Sequence, residues 1–309
     1  MSIINSGSFA KALWPGVNAW YGKAYSEYKQ EWDKLFDQNK SSKAFEEDVG
    51  VSSFGLAVQK GEGAPISYDT ERQGFVTRYQ HVTYALGFII TREIMEDDQY
   101  SVVGQRKAKG LAFSMRQTKE IVAANVYNRA FNTNYTGGDG ATLVASAGNS
   151  GSASHPTIAG GSFTNGPSTA LDLSEAALEQ ACIDIAGFTN DRGLLIAVRP
   201  KTLILPRQLV FEATRILKAD GRVGTDNNDP NALKNLGSIP EMVVNHYLTD
   251  TDAWFICTDC PEGMKYFERR GDSFDMDNDF DTENAKYKAT ARYSFGWTDP
   301  RGIYGSPGA

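Results

Sequence analysis

Cys257 and Cys260, separated by two residues, form the first pair in the sequence whose spacing suits chemistry. A CxxC pair acts as a dithiol when it opens a helix, where the dipole lowers the thiol pKa. Here Pro261 follows at once, and the next residues, EGMKYFERR, lead toward a strand. A zinc site needs a second ligand pair, and neither His155 nor His246 stands in a recognisable pairing. Turn and edge positions are therefore the expectation for both cysteines, and a CxxC redox enzyme is a minor alternative. The acidic run Asp275-Met-Asp-Asn-Asp-Phe-Asp-Thr-Glu283 looks like a calcium loop until its positions are counted. The sixth position, which needs glycine, is Phe280, and the twelfth is Lys286 instead of glutamate. Phe274, Met276, Asn278 and Phe280 alternate with acids, which reads as an acidic-faced strand or turn. His81, His155 and His246 are scattered, with no Ser or Cys pattern for a triad. The GGDG at Gly137 to Gly140 lacks the Lys-Ser/Thr of a phosphate loop, and no GxSxG, HExxH or GxGxxG occurs. No catalytic, cofactor-binding or metal-ligating residue is assigned.

The chain of 309 residues allows one large domain or two ordinary ones. Its net charge of −7 argues against a dedicated nucleic-acid binder, which carries a basic face. No apolar run approaches the ~18 residues of a membrane span. The start, MSIINSGSFAKALWPG, has no basic segment followed by an apolar core and so does not read as a signal peptide. Three unevenly placed cysteines make no disulfide framework, and a reducing cytoplasm is the expected place of folding.

The elements that would position any site are easier to read. Glu96 to Phe131 carries Gly104, Ala108, Leu111, Met115, Val122 and Val126 at helical steps, with no proline, and predicts one long helix. Arg106, Lys107, Lys109, Arg116, Lys119 and Glu120 are expected on its other sides. Before it, Val17 to Phe36 predicts a helix with an aromatic stripe of Tyr21, Tyr25, Tyr28, Trp32 and Phe36. From Val49 to Arg92 the period changes to two. Strands over Phe54 to Gln59 and over Val82 to Ile90 would make a long hairpin with a broad tip, marginal unless another surface covers it. Tyr135 to Thr169 is a Gly/Ser/Thr-rich passage with a short strand at Ala141 to Val144. Asp172 to about Met264 reads as a compact α/β region. It has a helix capped by Ser174, a strand at Leu194 to Val198, a helix at Gln208 to Lys218, an exposed loop at Ala219 to Leu236, and strands at Met242 to Tyr247 and Trp254 to Cys257. Tyr287, Ala289, Ala291, Tyr293, Phe295 and Trp297 then alternate with polar residues in a long half-buried strand.

This order of parts resembles the major capsid protein of tailed bacteriophages over nearly the whole chain. FGLAVQKGEGAPISYDTERQGFVTRYQHVTYALGFIITREIMED looks like that family's extended loop running into its spine helix. RPKTLILPRQL, DTDAWFICTD and DTENAKYKATARYSFGWTDPRGIYG look like its axial and peripheral regions. The resemblance implies an α+β fold. Residues 1–48 would be the N-terminal arm and 49–92 the extended β-hairpin loop. Residues 93–170 would be the peripheral domain with its spine helix, 171–265 the α/β axial domain, and 266–309 the peripheral return strands and C-terminus. It implies a head protein that self-assembles as pentamers and hexamers into an icosahedral shell around double-stranded DNA. Its partners would be copies of itself, a portal protein, a separate scaffolding protein, a decoration protein and the packaged DNA, contacted non-specifically, with no membrane. It would be assembled in the host cytoplasm. An encapsulin-like cellular shell shares the fold and is the alternative. Candidate inter-subunit residues are Trp14, Trp20, Tyr21, Tyr25, Tyr28 and Trp32 in the arm, Phe54, Lys60, Tyr68, Arg72, Phe75 and Tyr79 in the loop, and Arg222 and Asn231 in the axial region. Some members join a loop lysine to a neighbour's asparagine. Lys60 lies near the tip, but no asparagine partner or assisting glutamate is identified, and the crosslink is not expected here.

Overall fold

The computed structural model describes residues 10–27, 29–63, 65–96, 100–222, 229–279 and 284–309. The N-terminal segment forms helix α1 (Ala10–Glu27), a 3-10 turn at Trp32–Lys34 and a short strand, β1 (Asp37–Lys40). A hairpin stem follows, with β2 (Phe45–Val51) against β3 (Gln73–Gln80). After β4 (Val82–Ile90) the chain passes through α2 (Arg92–Glu96) into the long helix α3 (Tyr100–Asn128). The irregular passage beyond it carries the small pair β5 (His155–Pro156) and β6 (Ser162–Phe163). Then come α4 (Glu175–Ala186), β7 (Pro200–Leu205), α5 (Val210–Lys218), α6 (Ala232–Leu236), β8 (Glu241–Val244) and β9 (Trp254–Thr258). The last strands are β10 (Met264–Asn278), β11 (Ala285–Trp297) and β12 (Ile303–Ser306).

Two four-stranded sheets organise these elements. The first has the order β1-β10-β11-β4, and its one parallel pair is β1 with β10. Along β11 the alternation seen in the sequence becomes alternation of burial: Ala285, Tyr287, Ala289, Ala291 and Tyr293 face inward under α1 and α3. The second sheet has the order β12-β9-β7-β8. It is a wall between two cores. Ile204, Phe255, Cys257 and Ile303 point into the core shared with α3. Leu203, Leu205, Trp254, Ile256 and Tyr304 point into the core under α4, α5 and α6. A strand covered on both faces reads as a continuous apolar run, which explains TLIL and WFIC.

Several expectations need correction. The hairpin strands are β2 and β3. Phe54 to Gln59 is irregular, and β4 leaves the hairpin to pair with β11. The run that looked like a strand has no ladder partner, whereas Phe45–Val51 matches β3 residue for residue over most of its length. The N-terminal helix ends at Glu27 instead of reaching Phe36. Leu194 to Val198 makes only an isolated bridge, Thr189 to Leu195, with Ala197 at φ 53°, and the strand begins after it, at Pro200. Ala141 to Val144 is buried but is not a strand; Asn165 holds it through Leu143 O and Ala145 N. Within 219–236 a short helix, α6, appears, capped by the buried Asn231, whose side chain accepts from Lys234 N. The final strand β12 pairs with β9, so the C-terminus returns to the second sheet and not to the first.

Arg116, Lys119 and Glu120 on α3 are buried, contrary to their expected exposure. Arg116 lies against Tyr25 on α1 and donates to its carbonyl, and the residues around the 3-10 turn at Trp32–Lys34 cover Lys119 and Glu120. Glu120 accepts backbone N–H bonds from Glu31 at 3.0 Å and Trp32 at 3.1 Å, which pins the turn to the helix. Lys119 Nζ lies over the rings of Trp32, Tyr266 and Tyr293, 4.4 to 5.4 Å from their centroids. Burial lowers its pKa. Glu120→Ala leaves two amides without an acceptor, and a loss of about 2 kcal/mol in chemical denaturation is expected. Glu120→Gln, which keeps one acceptor oxygen, is expected to lose less.

Candidate assembly surface

The hairpin stem is anchored firmly at its base. Asp48 accepts from Lys265 Nζ at 2.6 Å and from Thr298 Oγ1 at 2.8 Å. Tyr79 is buried against Phe267, with ring centroids 4.8 Å apart, and packs so closely on Gly296 that a Cβ there would lie 2.8 Å from its ring. Beyond β2 and β3 the two limbs continue without a regular ladder but stay tied. Ser52 N donates to Arg72 O and Arg72 N to Ser52 Oγ, both at 2.9 Å. Asp69 accepts from Gly55 N across the loop at 2.8 Å. The amides of Gly55 and Thr70, with Arg192, hold its carboxyl below the usual carboxylate range.

The outer loop has no core of its own. Leu56, Val58, Ile66 and Tyr68 are 80, 70, 65 and 90 % exposed, and Phe54 is 55 % exposed. Covering these five side chains would be worth roughly 5 kcal/mol or more. Apolar side chains grouped on a protruding loop mark an interaction surface.

The other sequence candidates divide into two groups. Lys60 and Arg72 lie on the exposed loop with Phe54 and Tyr68, and Phe75 is partly exposed on β3. Arg222 is exposed, 3.4 Å from Glu175. In contrast, Tyr21, Trp32, Tyr79 and Asn231 are buried in their own subunit, and Tyr25 is tied to Asp272. Trp20 is half-buried against the first core. The side chain of Trp14, and Tyr28 as a whole, lie outside the described residues. The sequence reading missed exposed apolar residues of the second region, among them Ile183 on α4, Leu195 in the turn after it, Phe211 on α5 and Leu236 on α6. Phe211 and Leu236 stand out in the sequence only once the buried face of each helix is known.

The fold can now be compared with known proteins. A family model described as phage capsid protein matches residues 74–306, from β3 to β12. The chain belongs to the phage capsid protein family. Its fold is similar to three solved structures at 9 to 11 % identity, which speaks for the fold alone. A virus-like particle from Pyrococcus furiosus aligns over 94 % of this chain and 98 % of that one, with 9 % identity and a TM-score of 0.53. A structure from Microbacterium phage Oxtober96 aligns over 90 % and 91 %, with 9 % identity and a TM-score of 0.52. One from Mycobacterium phage Adephagia aligns over 90 % of both chains, with 11 % identity and a TM-score of 0.51. No curated protein matches the sequence. This is a major capsid protein of the phage type, a self-assembling component of a virion shell.

The cysteines and histidines of this capsid protein lie in packed or hydrogen-bonded settings. Cys257 lies on the buried strand β9 beside Tyr127, and burial pushes its thiol up to about 11. Burial pushes Cys260, beside Asp299, up to about 12, and Cys182 up to about 11. Neither member of the CxxC pair opens a helix, and both favour the protonated form, opposite to a redox dithiol. Among the described residues no group of His, Cys, Asp and Glu is arranged to hold a metal ion. The acidic run continues β10 as far as Asn278, and 280–283 lie outside the described residues. His246 bonds Glu31, and His155 bonds Asp139 at 2.6 Å. His81 bridges Ser294 at 3.0 Å and Ser41 at 3.1 Å where β3 meets β4.

Two solution tests follow from these environments. All three thiols are expected to react with a disulfide reagent at pH 8 on the order of a hundredfold more slowly in the folded chain than in urea. Burial lowers the His81 pKa, with Arg292 adding to it, so the folded state resists protonation of this ring. Its contribution to stability is therefore complete above the unfolded pKa of ~6.5 and falls as pH drops below it. Melting temperatures between pH 7.5 and 5.5 should show this decline, and His81→Gln should make it shallower.

Proposed function

We propose that this capsid protein assembles as pentamers and hexamers into an icosahedral shell that encloses double-stranded DNA, with its outer loop laid over a second copy. The observation that carries this reading is the set of exposed apolar residues Phe54, Leu56, Val58, Ile66 and Tyr68 on a loop that its own chain leaves uncovered. In a shell built from many copies of one interface, a neighbour supplies the missing cover. The arm would be α1 with the turn and strand after it. The peripheral domain would be α3 with the first sheet, and the axial domain would be the second sheet with α4, α5 and α6. Leu195, Phe211 and Leu236 then stand ready to meet copies around the five- and six-fold axes. Arg106 and Lys109, exposed on α3, are the spine cations available for non-specific contact with packaged DNA, whereas Arg116 is buried. A portal, a separate scaffolding protein and a decoration protein complete the set of partners, with assembly in the host cytoplasm.

Replacing residues 56–67 by Gly-Ser-Gly tests the loop. The variant is expected to stay folded and soluble by circular dichroism and sedimentation, yet to form no closed shells in negative-stain electron microscopy under conditions where the unaltered chain does. Normal shells from the shortened loop would overturn the role assigned to it.

A further inference from the structure

The outer loop does not leave its own subunit freely. The turn at residues 189–195, between α4 and β7, touches both of its limbs. Arg192 Nη1 donates to both carboxylate oxygens of Asp69, at 3.1 and 3.0 Å, and Nη2 donates to Thr70 O at 2.6 Å. Asn190 Nδ2 donates to Ser53 Oγ on the opposite limb at 2.7 Å. The turn itself is braced. Asn190 Oδ1 accepts from Arg192 N and Leu194 N, each at 2.9 Å. Its inner side is fixed by Arg301, which donates to Asp191 Oδ1 at 3.0 Å and Thr189 O at 2.7 Å. Asp191 thus ties the turn to the body, and its neighbour Arg192 reaches out to the loop.

A second contact lies closer to the stem. Ile158, at the tip of the β5–β6 hairpin, sits in a notch made by Gly50 and Gly74 on opposite strands. A Cβ on Gly74 would fall 2.2 Å from Ile158 Cδ1 and 3.0 Å from Gly50 O, so only glycine leaves room for the peg. Ile158 and Arg192 line the same crevice, about 420 Å³, with Ser52, Asp69, Thr70 and Arg72.

We propose that Ile158 and Arg192 form an intrasubunit bracket that sets the direction of the outer loop before a neighbouring copy covers it, with Ile158 as the fixed peg and Arg192 as the releasable clasp. This rests on the shell-subunit reading above. The two parts differ in strength for a physical reason. The peg is an apolar fit without charge, insensitive to salt. The clasp is an ion pair with side chains 27 and 42 % exposed, weak enough to open when the loop adapts to five-fold or six-fold surroundings. Its fork geometry still gives it direction, because the two terminal nitrogens of the guanidinium engage neighbouring acceptors on the return limb, Nη1 the Asp69 carboxylate and Nη2 Thr70 O.

The test uses the full chain and two independent readouts. Hydrogen exchange at residues 52–57 and 67–72 of the unassembled subunit reports the bracket without reference to shells. Arg192→Ala is expected to speed exchange there about fivefold, the bias that an exposed ion pair supplies. Arg192→Lys, which keeps the charge but loses the fork, should fall between the two. Assembled material of Arg192→Ala should show a lower yield of closed shells and a broader spread of diameters. Unchanged exchange would overturn the clasp, and unchanged yield and diameters would overturn its role in aiming the loop. If the unaltered chain forms no shells even when co-expressed with its scaffolding partner, the shell-subunit reading fails, while the exchange result still decides whether the bracket exists.

Discussion

Two rows of aromatic rings crossing the first sheet hold the rest of the structure in place. One row runs from Tyr21 on α1 through Phe274 on β10 and Tyr287 on β11 to Phe88 on β4, with centroid separations of 4.6, 6.0 and 4.9 Å. The other runs from Trp32 through Tyr266 and Tyr293 to Tyr84, at 4.5, 6.0 and 4.8 Å. Each row joins the N-terminal segment to three strands. Such pairs contribute about 0.5–1.5 kcal/mol each beyond the area they bury. The ammonium of Lys119 over the second row brings α3 into the same assembly. Of the aromatic residues read as an arm for neighbours, Tyr21 and Trp32 therefore fasten the arm to its own subunit, and the loop is left with uncovered apolar surface.

The second sheet passes this rigidity onward. Because successive residues of β7 and β9 enter different cores, neither region can shift without disturbing the wall between them. The turn that carries Arg192 sits on that wall through Arg301, next to β12. A loop held by such a turn is fixed relative to both regions at once. In a shell this would let one subunit offer its apolar loop at a defined angle, with the adaptation between settings confined to contacts that are individually weak.

The sequence was legible where the physics is local. β11 shows its buried face by strict alternation from Ala285 to Tyr293. Ser174 was recognisable as a cap, and in the structure it accepts from Ala177 N. The long helix was visible from its apolar steps, though its described span, Tyr100–Asn128, is shorter than the run that suggested it. Partnership between distant segments was not legible. The stem pairs Phe45–Val51 with β3, and β12 pairs with β9, across separations that leave no mark in either strand alone. Burial of Lys119 and Glu120 depends on Trp32, some ninety residues earlier, so their charges pointed to solvent. The apolar residues of the outer loop were visible, but FGLAV looked like a strand because β propensity cannot distinguish cover by a sheet from cover by another molecule. The bracket was hidden for the same reason, since Asp69 and Arg192 stand 123 positions apart.

The measurement that bears most directly on this picture is a cryo-electron microscopy map of the assembled protein at a resolution that shows side chains. Density for Phe54, Leu56, Val58, Ile66 and Tyr68 is expected against a second copy, in pentameric and hexameric settings of one closed shell. A shell in which those side chains face solvent or fold back on their own subunit would contradict the role given to the loop.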